Sequence, residues 1–239
     1  MTRTAAVPAV QIENVRKTYG GLRPLRLRAL AVYPGERVAI AGLDAAAAEI
    51  LVGLLTGATL PDEGEIRIFG RATTEIRDET EWIASLDRFG IVSPRAVLLS
   101  GSTVRQNLAM PFTLSIDPLS DAVAEKAERL AEEVGLARAD LDRLVGSAPP
   151  DAIVRVHLAR AIAVNPSVLV LEHPTVALGG ETVPWLAADV ARVAEARRLA
   201  VIAMTEDATF ADALGGRRVK LQAATGALDE IRGWRRWFQ

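Results

Sequence analysis

Apolar and polar residues alternate through residues 9–15 and 25–41, a period of two that is typical of β-strands with one face in solvent. The turn-forming pair Pro34-Gly35 divides the second run. We therefore predict antiparallel strands over both runs, with the last of them entering Gly42.

The spacing of apolar residues changes after Gly42, and most of the remaining chain combines helical periodicity with short, continuously apolar runs. The predicted elements are helix 45–57, strand 64–70, mainly helix from 101 to about 164, strand 167–175, helix 181–197, strand 199–204 and helix 207–214. Ser120 is a predicted N-cap, and Pro149-Pro150 suit the first turn of a helix. Strands that alternate with helices predict a parallel sheet within a single α/β unit.

Composition narrows the class of protein. The chain has 239 residues, half of them apolar, and a net charge of −2 without a basic tract, which argues against nucleic acid as a partner. No apolar run approaches the roughly 20 residues of a membrane span, and residues 1–10 lack a secretory signal, so we expect a cytoplasmic protein. The absence of cysteine, together with only two histidines, predicts neither disulfides nor a zinc site.

Several stretches carry a family resemblance. They are IENVRKTYGG, PGERVAIAG, LPDEGEIRIFG, LLSGSTVRQNLAMPF, VRVHLARAIAVNPSVLVLEHPT and AMTED. In this order they resemble the ATP-binding subunit of ABC transporters over essentially the whole chain. The resemblance implies an α/β fold of the ABC-ATPase-like P-loop NTPase type, with an antiparallel β subdomain, a parallel-sheet core and a helical subdomain at about 97–164. It also implies that residues 1–239 form one domain.

The phosphate-binding loop of that family has the pattern G-x-x-x-x-G-K-S/T, in which backbone amides and lysine bind phosphates and a hydroxyl holds magnesium. The corresponding residues here are Gly42, Leu43, Asp44, Ala45, Ala46, Ala47, Ala48 and Glu49. The resemblance therefore places Ala48 at the lysine and Glu49 at the magnesium hydroxyl. We predict that Asp44 caps a helix that begins about one turn early.

Other family positions also differ. By the same resemblance, Glu172 stands where an Asp orders magnesium, and His173 stands where a Glu polarises the attacking water. Glu206 replaces a histidine, and Pro94 replaces a glutamine. We accordingly expect no catalytic residue among these positions.

The family's signature loop offers backbone amides to a partner's γ-phosphate. It corresponds here to Ala148, Pro149, Pro150, Asp151 and Ala152. Proline has no N–H to donate, and an aspartate repels phosphate. Tyr19 matches the aromatic residue that stacks on adenine in the family, although simple packing is the alternative. His157 is interpreted as a packed histidine, and the tail 233–239 as a packing segment, with contact to lipid headgroups as the alternative.

These features lead to the hypothesis of a pseudo-ATPase, an ABC-type subunit that scaffolds or regulates a membrane transport complex. We expect no cofactor and no metal, and a permease subunit or another ABC-type ATPase as partner, in a homo- or heterodimer peripheral to the inner membrane. One alternative is a divergent ATPase that uses ATP and magnesium through Glu172 and His173, with a cation supplied by a residue such as Lys17 or Arg37. Another is a soluble protein-interaction module on the same fold.

Overall fold

The computed structural model describes residues 6–231, so the tail 233–239 lies outside the described residues. The strands are β1 (Val10–Lys17), β2 (Leu25–Val32), β3 (Arg37–Ala41), β4 (Glu63–Ile68), β5 (Arg71–Ala72), β6 (Phe89–Val92), β7 (Val168–Glu172), β8 (Ala200–Met204), β9 (Arg217–Gln222) and β10 (Ala227–Glu230). The helices are α1 (Ala45–Leu55), α2 (Glu79–Leu86), α3 (Val104–Ala109), α4 (Asp121–Glu133), α5 (Pro150–Ile162), α6 (Val183–Arg197) and α7 (Ala208–Leu214). Among residues 6–231, no helix combines the length and apolarity that crossing a membrane requires.

A four-stranded sheet contains the N-terminal strands in the order β2-β1-β4-β5. Strands β1 and β2 pair antiparallel, as the period-two pattern predicts, and their buried residues face one core. That core also receives the inner face of α1 and one side of the second sheet.

The second sheet has the order β10-β9-β3-β8-β7-β6 and is parallel except for β10. This corrects the prediction for residues 37–41: β3 pairs parallel with β8 and β9 and is not part of an antiparallel sheet with one wet face. Val38, Ala39 and Ile40 are all buried, because β3 is central and covered on both faces.

Sequence patterns did not predict α2, β6, β9 and β10. Each is short, and α2 has no buried residue from which an apolar face could be recognised. In β9, charged residues occupy most outward positions and only Val219 and Leu221 are buried. Burial of alternate residues at the periphery of a sheet leaves a weak signal in a short strand.

Helices α3, α4 and α5 lie within the predicted helical stretch and form a helical block. This block packs on a second hydrophobic core, which also contains buried residues of α6. Ser120 is the N-cap of α4, although its side chain makes no capping hydrogen bond, and Pro150 is the first residue of α5. The assignment of the whole chain to one domain remains a prediction.

Candidate functional site at the carboxyl edge of the parallel sheet

Three of the predicted site positions meet where the central parallel strands end. Gly42 follows β3, Glu172 ends β7, and Glu206 lies two residues beyond β8. Residue Met204 at the end of β8 is paired with Glu172 on one side and with Ile40 on the other, so the strands end at the same level. Ligand sites of open α/β sheets form at such an edge.

Gly42 has a structural reason to be glycine. Its backbone has a φ of 89°, and a Cβ atom there would lie 2.6 Å from the carbonyl oxygen of Leu221. The Gly42 amide donates a 2.5 Å hydrogen bond to Oε1 of Glu206. A carboxylate of this chain therefore holds the first amide of the predicted phosphate loop.

Helix α1 begins at Ala45, directly after Asp44, and Asp44 is its N-cap as predicted. The Ala47 amide donates to Oδ1 of Asp44 at 2.8 Å, and the Ala48 amide donates to the Asp44 carbonyl, also at 2.8 Å. Leu43 is 1% exposed and belongs to the core. This segment is a capped helix start, and the amides of Ala47 and Ala48 are already engaged.

The remaining residues of the loop follow the helix. Ala45 and Ala46 are exposed, Ala47 and Ala48 are buried, and Glu49 points into solvent with 58% of its side chain exposed. Ala48 is 0% exposed, so a long charged side chain has no room there without rearrangement.

Arg95 is the site residue that sequence reasoning missed. Its Nη2 atom donates to Oε2 of Glu172 at 2.8 Å, and Nη1 donates to Oε1 of the same carboxylate. The same Nη1 lies 3.4 Å from Oε2 of Glu49. Glu172 is 1% exposed, whereas 43% of the Arg95 side chain is exposed, so the arginine covers a buried carboxylate.

The turn after β6 presents this arginine. The Ala96 amide donates to the Ser93 carbonyl at 3.1 Å, which closes a turn with Pro94 and Arg95 at its centre. Pro94 itself is exposed. The only sequence signal for Arg95 is that it follows Pro94 in the loop at the end of a strand.

Lys17 and Arg37, the cations named for a divergent ATPase, contact other groups. Lys17 pairs with Asp62 at 3.1 Å, in the four-stranded sheet region. Arg37 donates to the Ala191 carbonyl at 3.3 Å. Arg95 is instead the cation that contacts the carboxylates of this edge among residues 6–231.

His173 follows Glu172 in a left-handed backbone conformation with a φ of 43°. Its amide donates to the Met204 carbonyl at 2.9 Å, which keeps β7 and β8 together past the end of β7. The Nε2 atom is buried and has no hydrogen-bond partner among the described residues.

Tyr19 lies beside the N-terminus of α1. It is half-buried, packs against the core, and lines a groove of about 340 Å³ together with Gly42, Asp44 and Ala47. Burial, and then the negative charge of Asp44, raise the pKa of the Tyr19 hydroxyl. The structure thus brings Tyr19 next to the loop, and its packing contact is compatible with either sequence interpretation.

Residues 148–152 surround the start of α5. The Ala148 amide donates to the Val145 carbonyl at 3.1 Å, Pro149 is the N-cap, and Ala152 is buried. Asp151 accepts from Nη1 of Arg155 at 2.9 Å. A helix start with prolines at two successive positions presents few amides to an anion.

Comparison with known proteins decides the family. A family model described as "ABC transporter" matches residues 25–176, which is more than half of the chain. The chain belongs to the ABC transporter family.

Curated ABC relatives support this assignment over a longer part of the chain. The methionine import ATP-binding protein MetN 2 of Paraburkholderia xenovorans is 32% identical over 209 residues, covering 85% of this chain and 53% of the relative. The MetN protein of Brucella abortus is 32% identical over 177 residues, covering 74% and 47%. The chain thus spans about half the length of the curated relatives it matches.

Solved ABC structures have the same fold. The cassette MJ0796, in a dimeric post-hydrolysis state bound to ADP and Pi, has a TM-score of 0.76 at 23% identity and covers 94% of this chain and 100% of its own. A cbiO1 subunit from Clostridium perfringens has a TM-score of 0.73 at 18% identity, covering 93% and 87%. These neighbours confirm the predicted ABC-type P-loop NTPase fold.

An ABC family member implies magnesium-ATP, and the residues at this edge fit that ligand poorly. Carboxylates of Asp44 and Glu206 already accept the amides of Ala47 and Gly42, at positions where a phosphate needs bare N–H donors. The guanidinium of Arg95 covers the carboxylate of Glu172.

Proposed function

We propose that this ABC family member is a non-hydrolysing subunit of a membrane transport complex, a pseudo-ATPase that scaffolds or regulates its partners. One observation carries the proposal: carboxylates of the chain, from Glu206 and Asp44, accept two amides of the segment 42–49, those of Gly42 and Ala47. Two negative charges at the amides repel a triphosphate, and Ala48 contributes no compensating cation. ATP and magnesium are therefore not cofactors in this proposal.

A membrane permease subunit is the partner we propose, and the protein would then be peripheral to the inner membrane. The relatives are named import ATP-binding proteins, which favours an import complex. Support also comes from a groove of about 310 Å³ beside the helical block, lined by Ile91, Ala96, Met110, Pro111 and His157. Met110 and Pro111 belong to the stretch LLSGSTVRQNLAMPF. The resemblance to ABC ATP-binding subunits places this stretch where that family contacts its membrane subunit.

Pairing with a second ABC-type ATPase would affect the partner's site as well. The start of α5, with Pro149, Pro150 and Asp151, would face the partner's nucleotide and would offer it few N–H donors and one negative charge. We expect a mixed dimer with a competent ATPase to turn over more slowly per competent site than the competent homodimer. Equal turnover per competent site in both dimers would contradict this part of the proposal.

A divergent ATPase is the second candidate, because Arg95 brings positive charge to this edge and Tyr19 borders a groove beside the loop. In that case Arg95 would have to release Glu172 and contact phosphate. The two candidates differ in one outcome, namely whether the chain consumes ATP.

The direct test is phosphate release from ATP and magnesium by the purified chain, with Glu172→Gln as the matched control. We expect the two rates to be equal and at the background of the assay. A rate of phosphate release that rises in proportion to the concentration of wild-type chain, and that is lost in Glu172→Gln, would overturn the proposal and establish the divergent ATPase.

A further inference from the structure

Two carboxylates from separate elements share one cation at the carboxyl edge of the sheet. Glu172 ends β7 and Glu49 projects from α1, and both approach the Nη1 atom of Arg95. The contact to Glu172 is bidentate, the arrangement in which a guanidinium binds a carboxylate most strongly.

Burial makes a neutralising charge necessary at this place. Glu172 is 1% exposed, and an ionised carboxylate in that environment is costly unless a cation pairs with it. The Glu49 side chain is 58% exposed, so its charge is largely solvated. Oxygen ligands of this type, one or two carboxylates with water completing the shell, are also those that bind Mg²⁺ and Mn²⁺ in proteins.

We propose that the guanidinium of Arg95 takes the place of a divalent cation, so that the chain carries its own permanent counter-ion for Glu172 and Glu49. The two carboxylates then need no metal, and a metal ion has no access to them while Arg95 is in place. The turn at residues 93–96 becomes fixed to β7 through this contact, whether or not a ligand is present.

The inference rests on the proposed function, because it treats this edge as free of nucleotide. The two fail in different experiments. ATP consumption by the wild-type chain would remove the proposed function, whereas the experiment below contains no nucleotide and tests only the role of Arg95.

Titration with Mn²⁺, followed by the electron paramagnetic resonance signal of the free ion, tests the inference. Three chains are compared: wild type, Arg95→Met, which keeps an apolar stem and removes the charge, and the double variant Arg95→Met/Glu172→Gln, which removes both charges. We expect Arg95→Met to bind one Mn²⁺ at least about tenfold more tightly than wild type, because two carboxylates are left without a counter-ion. The double variant should lose this gain.

Thermal unfolding provides a second readout on the same three chains. We expect Mn²⁺ to raise the Tm of Arg95→Met selectively, with Mn²⁺-free buffer of equal ionic strength as the reference. If Arg95→Met is recovered only unfolded, it is refolded with and without Mn²⁺, and recovery of native circular dichroism only with Mn²⁺ supports the inference.

Three outcomes overturn it. Wild type binding Mn²⁺ as tightly as Arg95→Met would show that Arg95 excludes no metal. A folded Arg95→Met chain without a gain in Mn²⁺ affinity would show that the carboxylates do not form a cation site. An unfolded Arg95→Met chain that Mn²⁺ does not rescue would show that a divalent ion cannot replace the guanidinium.

Discussion

Arg155 and Arg95 each join separate elements through ion pairs, and the buried member of the pair differs between them. Arg155 joins α5 to α6: it contacts Asp189 at 2.9 Å and Asp151 at 2.9 Å, with only 9% of its own side chain exposed. At the sheet edge, Arg95 is 43% exposed and Glu172 is 1% exposed. In the helical block the arginine is the more buried member of the ion pair. At the sheet edge the more buried member is the glutamate.

The difference has a consequence for stability. Asp189 has a second cation, Arg192, at 2.7 Å, so the helical pair belongs to a network that tolerates the loss of one member. Glu172 is contacted by Arg95 alone among the ion pairs of residues 6–231. Glu172 therefore depends on a single cation, whereas Asp189 in the helical network has two.

Replacing Arg95 is expected to have the largest effect on stability. Arg95→Met leaves the buried Glu172 carboxylate without a partner, and we expect the free energy of unfolding to fall by about 3 kcal/mol, at the low end for a buried ion pair because Arg95 is partly exposed. Urea unfolding measures the change. The double variant Arg95→Met/Glu172→Gln should recover more than half of the loss, and a loss that it does not reduce would contradict the account.

Replacing Arg155 is expected to cost less, about 2 kcal/mol, although Arg155 makes more contacts. Arg155→Met leaves Asp189 still paired with Arg192 and Asp151 partly in solvent. Urea unfolding under the same conditions gives the comparison. A loss larger than that of Arg95→Met would reverse the contrast between the two regions.

Removing the cap of α1 tests how far Asp44 stabilises the start of this helix. Asp44→Ala takes away the acceptor of the Ala47 amide, and N-cap losses of this type cost about 1 kcal/mol. Asp44→Asn, which keeps an acceptor, is the matched control. Equal stability of all three chains in urea would show that the cap does not stabilise α1.

The smallest expected effect concerns pH. Burial, and then the nearby positive charge of Arg160, lower the pKa of His157 below its ordinary value of 6.5. The unfolded chain therefore takes up a proton at a higher pH than the folded chain, and this histidine lowers stability as pH falls below about 6.5. We expect the decrease in Tm from about pH 7.5 to about pH 5.5 to be smaller in His157→Gln. An unchanged decrease would exclude the contribution.

Local chemistry explains which parts of the site could be predicted. The Asp44 cap and the prolines at the start of α5 depend on residues within one turn of each other, and the structure has both. The family resemblance assigned Gly42, Glu172 and Glu206 to separate motif positions, and the structure shows that the ends of β3, β7 and β8, which carry them, meet at one edge.

Contacts between distant residues could not be read from the sequence. The Arg95–Glu172 pair joins residues 77 positions apart, and nothing in the spacing distinguishes Arg95 from other surface arginines. The alternation of apolar and polar positions through 25–41 and the turn at Pro34-Gly35 predict an antiparallel strand for residues 37–41, whereas pairing with β8 and β9 makes β3 central. Burial by distant strands overrides a local pattern of this length.

The central claim is that the chain does not bind magnesium-ATP, and thermal unfolding of the purified protein tests it most directly. Unfolding is recorded with magnesium alone and with millimolar ATP plus magnesium at equal ionic strength. A ligand at 100 times its Kd stabilises a folded protein by about 2.7 kcal/mol. We expect no change in Tm, because carboxylates of Glu206 and Asp44 hold the amides of Gly42 and Ala47. A clear rise in Tm with ATP would contradict the account.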